Sequence, residues 1–239
     1  MDTTPGFYGK FPELGDFVNR RLPKEFLDSW DDWLQGAIAS SREQLGENWL
    51  NVYLTSPIWR FVLSRGLCGE YPWFGLMMPS VDRVGRYFPL TLACRLPLDA
   101  NLLRVTTDGA GWFEMGEEVI LGALEAQDFN MEEFDARVVS LGTMDELADT
   151  LGARIDTGYG SAWQVPLDAQ GIAGGITLLA HQLLLQRLGD YSLWWGHGSE
   201  KITPSLLLCG GMPDATDFAA MLSGEWSSGS WEQWPTISP

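Results

Sequence analysis

Three apolar segments between Ser56 and Leu96 follow one another through connections too short to carry a crossover. Ser56-Pro57-Ile58-Trp59-Arg60-Phe61-Val62-Leu63 alternates as a strand does, and a turn from Gly66 to Pro72 leads into Trp73-Phe74-Gly75-Leu76-Met77-Met78. The Asp82–Arg86 loop then joins a third strand, Tyr87 to Leu96. Short connections between strand-like runs specify an antiparallel meander. Helical patterns flank it on both sides. Phe26, Trp30, Trp33, Ala37 and Ile38 recur at helical spacing after Pro23, giving a helix from about 24 to 44. Trp49, Leu50, Tyr53 and Leu54 give a shorter helix that ends before Pro57.

Beyond the meander, residues from about 106 to 151 are acidic and read as helical, with Trp112, Phe113, Val119, Ile120 and Leu124 on the apolar side. Leu141-Gly142-Thr143 separates two further short helices. A strand at Ser161–Val165, an apolar helix at Ile176–Leu188, strands at Ser192–Gly196 and Ser205–Cys209, and a closing helix at 215–223 complete the pattern. Strands bracketed by helices specify an α/β fold: one domain, a three-layer α/β/α sandwich around a mixed sheet that contains the meander. The 239 residues, 45% hydrophobic with twelve tryptophans, supply an ample core. A chain of this size buries roughly three-quarters of its unfolded surface.

Cys68, Cys94 and Cys209 are far apart, and the last two lie in apolar runs, as small hydrophobes do. That pattern fits a reducing compartment and neither a disulfide framework nor a zinc site. The first thirty residues lack a basic start followed by an apolar core, so no signal peptide is expected. No run approaches the ~20 apolar residues that span a bilayer. A soluble, cytoplasmic protein with no membrane insertion is the expectation.

The net charge is −17, and it is unevenly placed. Residues 1–104 hold 11 Lys and Arg against 12 Asp and Glu, whereas residues 105–239 hold 4 against 20. Nucleic acid is disfavoured as a partner, because counterion release needs clustered cations. The acidic half either keeps the protein soluble or steers a basic protein surface toward it.

Catalytic chemistry has little to draw on. There are two histidines: His181 in an apolar helix, read as a core or helix-face residue, and His197 in a glycine turn, with a binding role left open. No G-x-S-x-G elbow, Walker A loop or kinase signature is present. The acid pairs Asp31-Asp32, Glu117-Glu118 and Glu132-Glu133 are sequence neighbours on helices and read as solvated faces. Gly210-Gly211 after an apolar strand reads as a tight turn or, less simply, as an anion site at a helix start. No catalytic residue, cofactor or metal ligand is assigned, and the chain is read as a non-enzyme.

Two segments look built for binding. The opening Gly6-Phe7-Tyr8-Gly9-Lys10-Phe11-Pro12-Glu13-Leu14-Gly15-Asp16-Phe17 and the loop Asp82-Arg83-Val84-Gly85-Arg86 both set aromatics beside a polar turn. Arg suits bidentate recognition of carboxylates and phosphates. Lys10, Asp16, Arg20, Asp82, Arg83 and Arg86 therefore form a candidate partner surface, or else an internal ion-pair network tying the loop to the opening segment. Of Trp194 and Trp195, strand geometry sends one ring into the core and leaves the other as a candidate aromatic anchor.

These motifs resemble the TagF family of type VI secretion-associated proteins. The likeness rests on Gly6–Lys10, Gly15-Asp16-Phe17, Arg20-Arg21-Leu22-Pro23, Ser56–Phe61, Met78–Leu90 and Ser192–Trp195. It is carried by residues 6–96 and is looser beyond. The resemblance implies a TagF-like domain over 1–225, a weakly structured Trp- and Ser-rich tail over 226–239, and a three-layer sandwich. It also implies a non-enzymatic accessory that represses assembly or firing of the apparatus after translation, by engaging the forkhead-associated-domain scaffold protein. The alternatives are a structural adaptor subunit of the machine and a nucleotide- or anion-binding protein using the Gly210-Gly211 turn.

Overall fold

The computed structural model describes residues 3–125, 128–144, 164–165, 167 and 171–233. Seven strands form one sheet: β1 (Gly6–Gly9), β2 (Val18–Arg20), β3 (Trp59–Leu63), β4 (Trp73–Met78), β5 (Leu90–Arg95), β6 (Tyr191–Gly196) and β7 (Ser205–Gly210). Their spatial order is β2-β1-β5-β4-β3-β6-β7. The helices are α1 (Lys24–Leu45), α2 (Trp49–Leu54), α3 (Leu102–Asp108), α4 (Ala110–Glu125), α5 (Met131–Ser140), α6 (Ile172–Leu188) and α7 (Phe218–Ser223).

The meander β3-β4-β5 sits at the centre of the sheet with the expected antiparallel register, Phe61 opposite Gly75 and Gly75 opposite Ala93. The rest of the sheet corrects the expectation of a mixed one. Every pairing among the described residues is antiparallel. After α6 the chain enters the sheet beside β3 running against it, so β6 joins with Phe61 opposite Trp194.

Alternation along the strands divides the core into two layers. Trp59, Phe61, Leu63 and Trp194 turn to α1, α2 and α7, while Val62, Phe74, Leu76 and Leu193 turn to α3, α4 and α5. The expected three-layer α/β/α sandwich is therefore present. Phe26, Trp30, Leu34, Ala37, Ile38 and Ser41 form the buried stripe of α1. Trp30 is its centre, stacked on Phe26 and Trp194, tilted against Phe61, with its Nε1 donating to Thr91 Oγ1 at 3.0 Å.

The opening residues, noted for their polar turn, form two strands around it. β1 pairs with β5, Phe7 opposite Leu92, and with β2, Phe7 opposite Arg20. Strands of three and four residues are too short to show a clear alternation. Gly9 is needed here: its φ is +139°, and a Cβ would lie 2.2 Å from the Pro89 carbonyl oxygen. The tail, expected to be weakly structured, also packs where it is described. Trp226 meets Trp59 edge-on and Trp231 meets Trp226, while Trp231 Nε1 donates to the Asp217 carbonyl. The proposed strand at 161–165 and the helix after Thr143 lie largely outside the described residues.

Trp30→Ala is expected to destabilise the fold by about 3–5 kcal/mol, since a fully buried indole leaves a cavity between α1 and the sheet. Urea denaturation of the full chain measures it.

Candidate protein-interaction site

Lys10 follows β1, and Asp82 sits between β4 and β5; adjacent strands bring them together. Lys10 Nζ and Asp82 Oδ2 are 2.5 Å apart and both side chains are buried. Asp82 Oδ1 also accepts the N–H groups of Val84 and Arg86 at 3.0 and 2.8 Å, and Oδ2 accepts Arg86 Nε at 2.7 Å. Burial pushes the Asp82 carboxyl upward, but the Lys10 ion pair and the Arg86 bonds outweigh it and hold the group well below the usual carboxylate range. Around this carboxylate the loop closes as a turn, with Gly85 at φ +83°.

The loop is bolted to the opening segment as well. Arg83 N–H donates to the Leu14 carbonyl at 3.0 Å, Arg86 Nη2 donates to the Gly15 carbonyl, and Arg86 reaches Asp16 Oδ1 at 3.8 Å. Below it, Ser80 Oγ donates to the Lys10 carbonyl at 2.7 Å, and Tyr53 exchanges hydrogen bonds with the Ser80 backbone. Phe17 lies over Lys10 Nζ at 4.4 Å and packs on Tyr8 and Phe88.

Five of the eight candidate residues, Lys10, Asp16, Asp82, Arg83 and Arg86, are thus brought together, and they divide by depth. Lys10 and Asp82 are out of reach of a partner, because the pair that builds the loop is enclosed by it. The outward tip consists of Asp16, Phe17, Arg83, Val84 and Arg86, with Phe17 47% and Val84 64% exposed. Arg83 makes no side-chain ion pair among the described residues. The internal network and the exposed surface are therefore the two sides of one loop.

Arg20 belongs to a different cluster. Its guanidinium pairs with Glu132 at 2.7 Å and Asp135 at 3.3 Å on α5, and Arg21 pairs with Asp135 at 2.5 Å. The Arg21 bond, against a smaller cost of burial, lowers the Asp135 carboxyl from its ordinary value. Glu132 is therefore an ion-pair partner as well as a solvated face.

The tryptophan pair splits as strand geometry requires. Trp194 is fully buried, so it anchors the core and faces no partner. Trp195 is half-buried and packs edge-on against Phe113. Near it lies a cluster that sequence reasoning missed. Arg60 Nε donates to Glu117 Oε1 at 2.7 Å, and Arg60 Nη2 donates to His197 Nε2 at 2.7 Å. A lone arginine inside the apolar run Trp59-Arg60-Phe61-Val62-Leu63 was the available signal, and Glu117 is not the solvated residue its helix position suggested.

His181 is buried and hydrogen-bonded through Nδ1 to Tyr191 Oη at 2.6 Å. Burial lowers its pKa to about 4. Cys68 and Cys209 are free thiols that burial pushes up to about 12. At the Gly210-Gly211 turn, Asp214 caps the following 3₁₀ turn by accepting Thr216 N–H at 2.8 Å. The recess beside it, lined by Asp214, Asp217 and Glu232, has the wrong sign for an anion. Among the described residues no group of three or more His, Cys, Asp or Glu could hold a metal ion.

A family model for the TagF N-terminal domain, described as type VI secretion system-associated, matches residues 6–141. The chain belongs to the TagF family. The matched span holds both sides of the Asp82 loop. A solved structure, PA0076 from Pseudomonas aeruginosa PAO1, is similar at 36% sequence identity and a TM-score of 0.77, covering 98% of this TagF-family chain and 100% of the other. A comparison with curated proteins finds no match. No helix among the described residues is long and apolar enough to cross a membrane.

Removing one partner of the buried pair leaves an uncompensated charge. Asp82→Ala is expected to lower the melting temperature by several degrees, and Lys10→Met combined with Asp82→Leu to recover part of the loss, read by thermal denaturation. His181 gives a separate pH signature. Its folded pKa lies below the unfolded value, so its contribution is complete above the unfolded pKa and is lost as pH falls from about 6.5 to about 4. The loss amounts to about 3 kcal/mol. In urea titrations across that window, His181→Gln is expected to flatten the slope.

Proposed function

We propose that this TagF-family chain is a non-enzymatic, cytoplasmic accessory of the type VI secretion system that represses its assembly or firing after translation. It does so by binding the forkhead-associated-domain scaffold protein and holding it out of assembly. The observation that carries the reading is the Asp82 loop. Its tip presents Asp16, Phe17, Arg83, Val84 and Arg86 to solvent on a turn already held by buried bonds. A rigid tip loses little conformational entropy on binding, and an arginine beside an aromatic is the composition that dominates interface energetics. Repression needs only occupancy: a scaffold that binds this chain better in its unassembled state is withdrawn from assembly by that difference in affinity.

Trp195 and Arg20 remain partly exposed and lie outside this tip. They serve as secondary contacts in the proposal, while Arg83 is its centre.

Co-purification of the full chain with the scaffold protein of the same secretion cluster tests the reading. Arg83→Glu is expected to weaken the complex about thirtyfold, a loss of about 2 kcal/mol, with the melting temperature unchanged. Deleting the gene is expected to raise secretion. Abolished secretion would instead identify a structural subunit, and no complex with the wild-type chain would remove the scaffold as the partner.

A further inference from the structure

Two recesses among the described residues differ in sign. The one beside β7 is lined by Asp214, Asp217 and Glu232. The other, of about 450 Å³, lies where the end of α1 and the start of α2 meet the Asp82 loop. Arg42, Trp49, Leu50, Gly85, Arg86 and Tyr87 line it, with no carboxylate among them. In a chain of net charge −17, two arginines share this hollow without an acid in it.

Its walls are fixed before any partner arrives. Trp49 stacks on Tyr53 with ring centroids 4.7 Å apart, and Tyr87 meets both edge-on. Trp49 Nε1 donates to Ser41 Oγ at 2.9 Å, which ties the indole to α1. Arg42 lies in the last turn of α1, its Cζ 4.3 Å from the Trp49 ring centroid and 6.0 Å from that of Tyr87. A ring takes a guanidinium through its face, which leaves the N–H groups on the rim available. Among the described residues Arg42 makes no side-chain hydrogen bond or ion pair with them. On the loop side, Arg86 Nε donates to Asp82 Oδ2 at 2.7 Å and Nη2 to the Gly15 carbonyl, so this guanidinium is held as well. Gly85 leaves the mouth open, since a Cβ there would meet nothing within 4 Å beyond its chain neighbours.

We propose that this recess is a docking site for an acidic side chain, glutamate or aspartate, of a partner protein, with Arg42 as the residue that binds its carboxylate. The proposal rests on the reading that the Asp82 tip meets the scaffold, and it names what the scaffold brings to the flank of that tip. The unused N–H groups of Arg42 offer the fork that a carboxylate takes bidentately. Arg86 adds a second positive charge, and Leu50, 40% exposed at the rim, gives the stem of the incoming side chain an apolar rest. Arginine and tryptophan held in one pocket are the residues on which interface energy concentrates.

Charge selects this occupant. Lys10, Arg42 and Arg86 stand against Asp16 and Asp82 here, an excess of one positive charge. A single carboxylate balances it. A phosphate monoester, which carries about −1.5 to −2 charges, would overshoot. A basic or apolar surface over the recess would strip water from Arg42 and replace it with nothing.

Two measurements on the full chain separate this site from the reading it rests on. In nitrogen-edited NMR spectra, a hexaglutamate peptide titrated to about 10 mM, where a single side-chain contact becomes measurable, is expected to shift Arg42 Nε–H and Trp49 Nε1–H saturably. Inorganic phosphate is expected to shift them less. Arg42→Gln is expected to abolish the Trp49 response with the melting temperature nearly unchanged, and Arg42→Lys, which keeps the charge and loses the fork, to retain part of it. In the complex with the scaffold protein, Arg42→Gln is expected to weaken binding about tenfold. A scaffold complex that responds to Arg83→Glu and ignores Arg42→Gln overturns this proposal and leaves the reading of the tip in place. Where no scaffold complex forms, that reading falls and the peptide titration alone decides the site. No shift with the peptide, a Trp49 shift that survives Arg42→Gln, or tighter binding of phosphate overturns the proposal. So does a shift that grows with protein concentration alone, because the occupant is then a second copy of this chain.

Discussion

Lys10 and Asp82 meet where water does not reach, and the charges around them are arranged by that contact. A carboxylate in such a place costs free energy unless each of its lone pairs is used. Here one oxygen takes two backbone N–H groups, and the other takes an ammonium and a guanidinium. The loop closes around its own aspartate, and Arg86 carries the constraint outward to the Gly15 carbonyl. The turn after β1 and the loop after β4, far apart in the chain, become one rigid projection. The exposed tip inherits its shape from a pair that no partner touches.

The sheet supplies the platform. Its alternation sends Trp59, Phe61, Leu63 and Trp194 to one layer and Val62, Phe74, Leu76 and Leu193 to the other, so α1 with α7 and α4 with α5 are held on opposite faces. The same alternation explains Arg60, whose neighbours Trp59 and Phe61 enter the α1 layer. It must point the other way, toward α4, where Glu117 and His197 receive it. An arginine in a central strand is tolerated because its donors find acceptors at the rim of the layer.

Much of the fold was legible, because it is written in local periodicity. The meander, α1, α2 and the closing helix lie close to where spacing and turn residues place them. The opening segment was harder. Its strands are short, and β1 exists because β5 offers a partner far along the chain, which no window of local sequence contains. The described part of the tail carries no helix or strand, and what its own sequence does not announce is that Trp226 and Trp231 pack on Trp59 and Asp217. Candidate residues were found by type, but their depth was not. Lys10, Asp82 and Trp194 look no different in sequence from Arg83 and Trp195, and burial separates them.

By itself, then, the sequence determined the α/β class, the antiparallel meander, the acidic surface and the likeness to the TagF family, since these follow from composition, period and motif. Tertiary structure alone decided that the sheet is antiparallel throughout and that Arg20 faces α5 instead of the Asp82 loop. It alone placed β7 at one edge of the sheet formed by the described residues. Strand direction, ion-pair partners and edges depend on contacts between residues distant in the chain, and such contacts exist only once the core has closed.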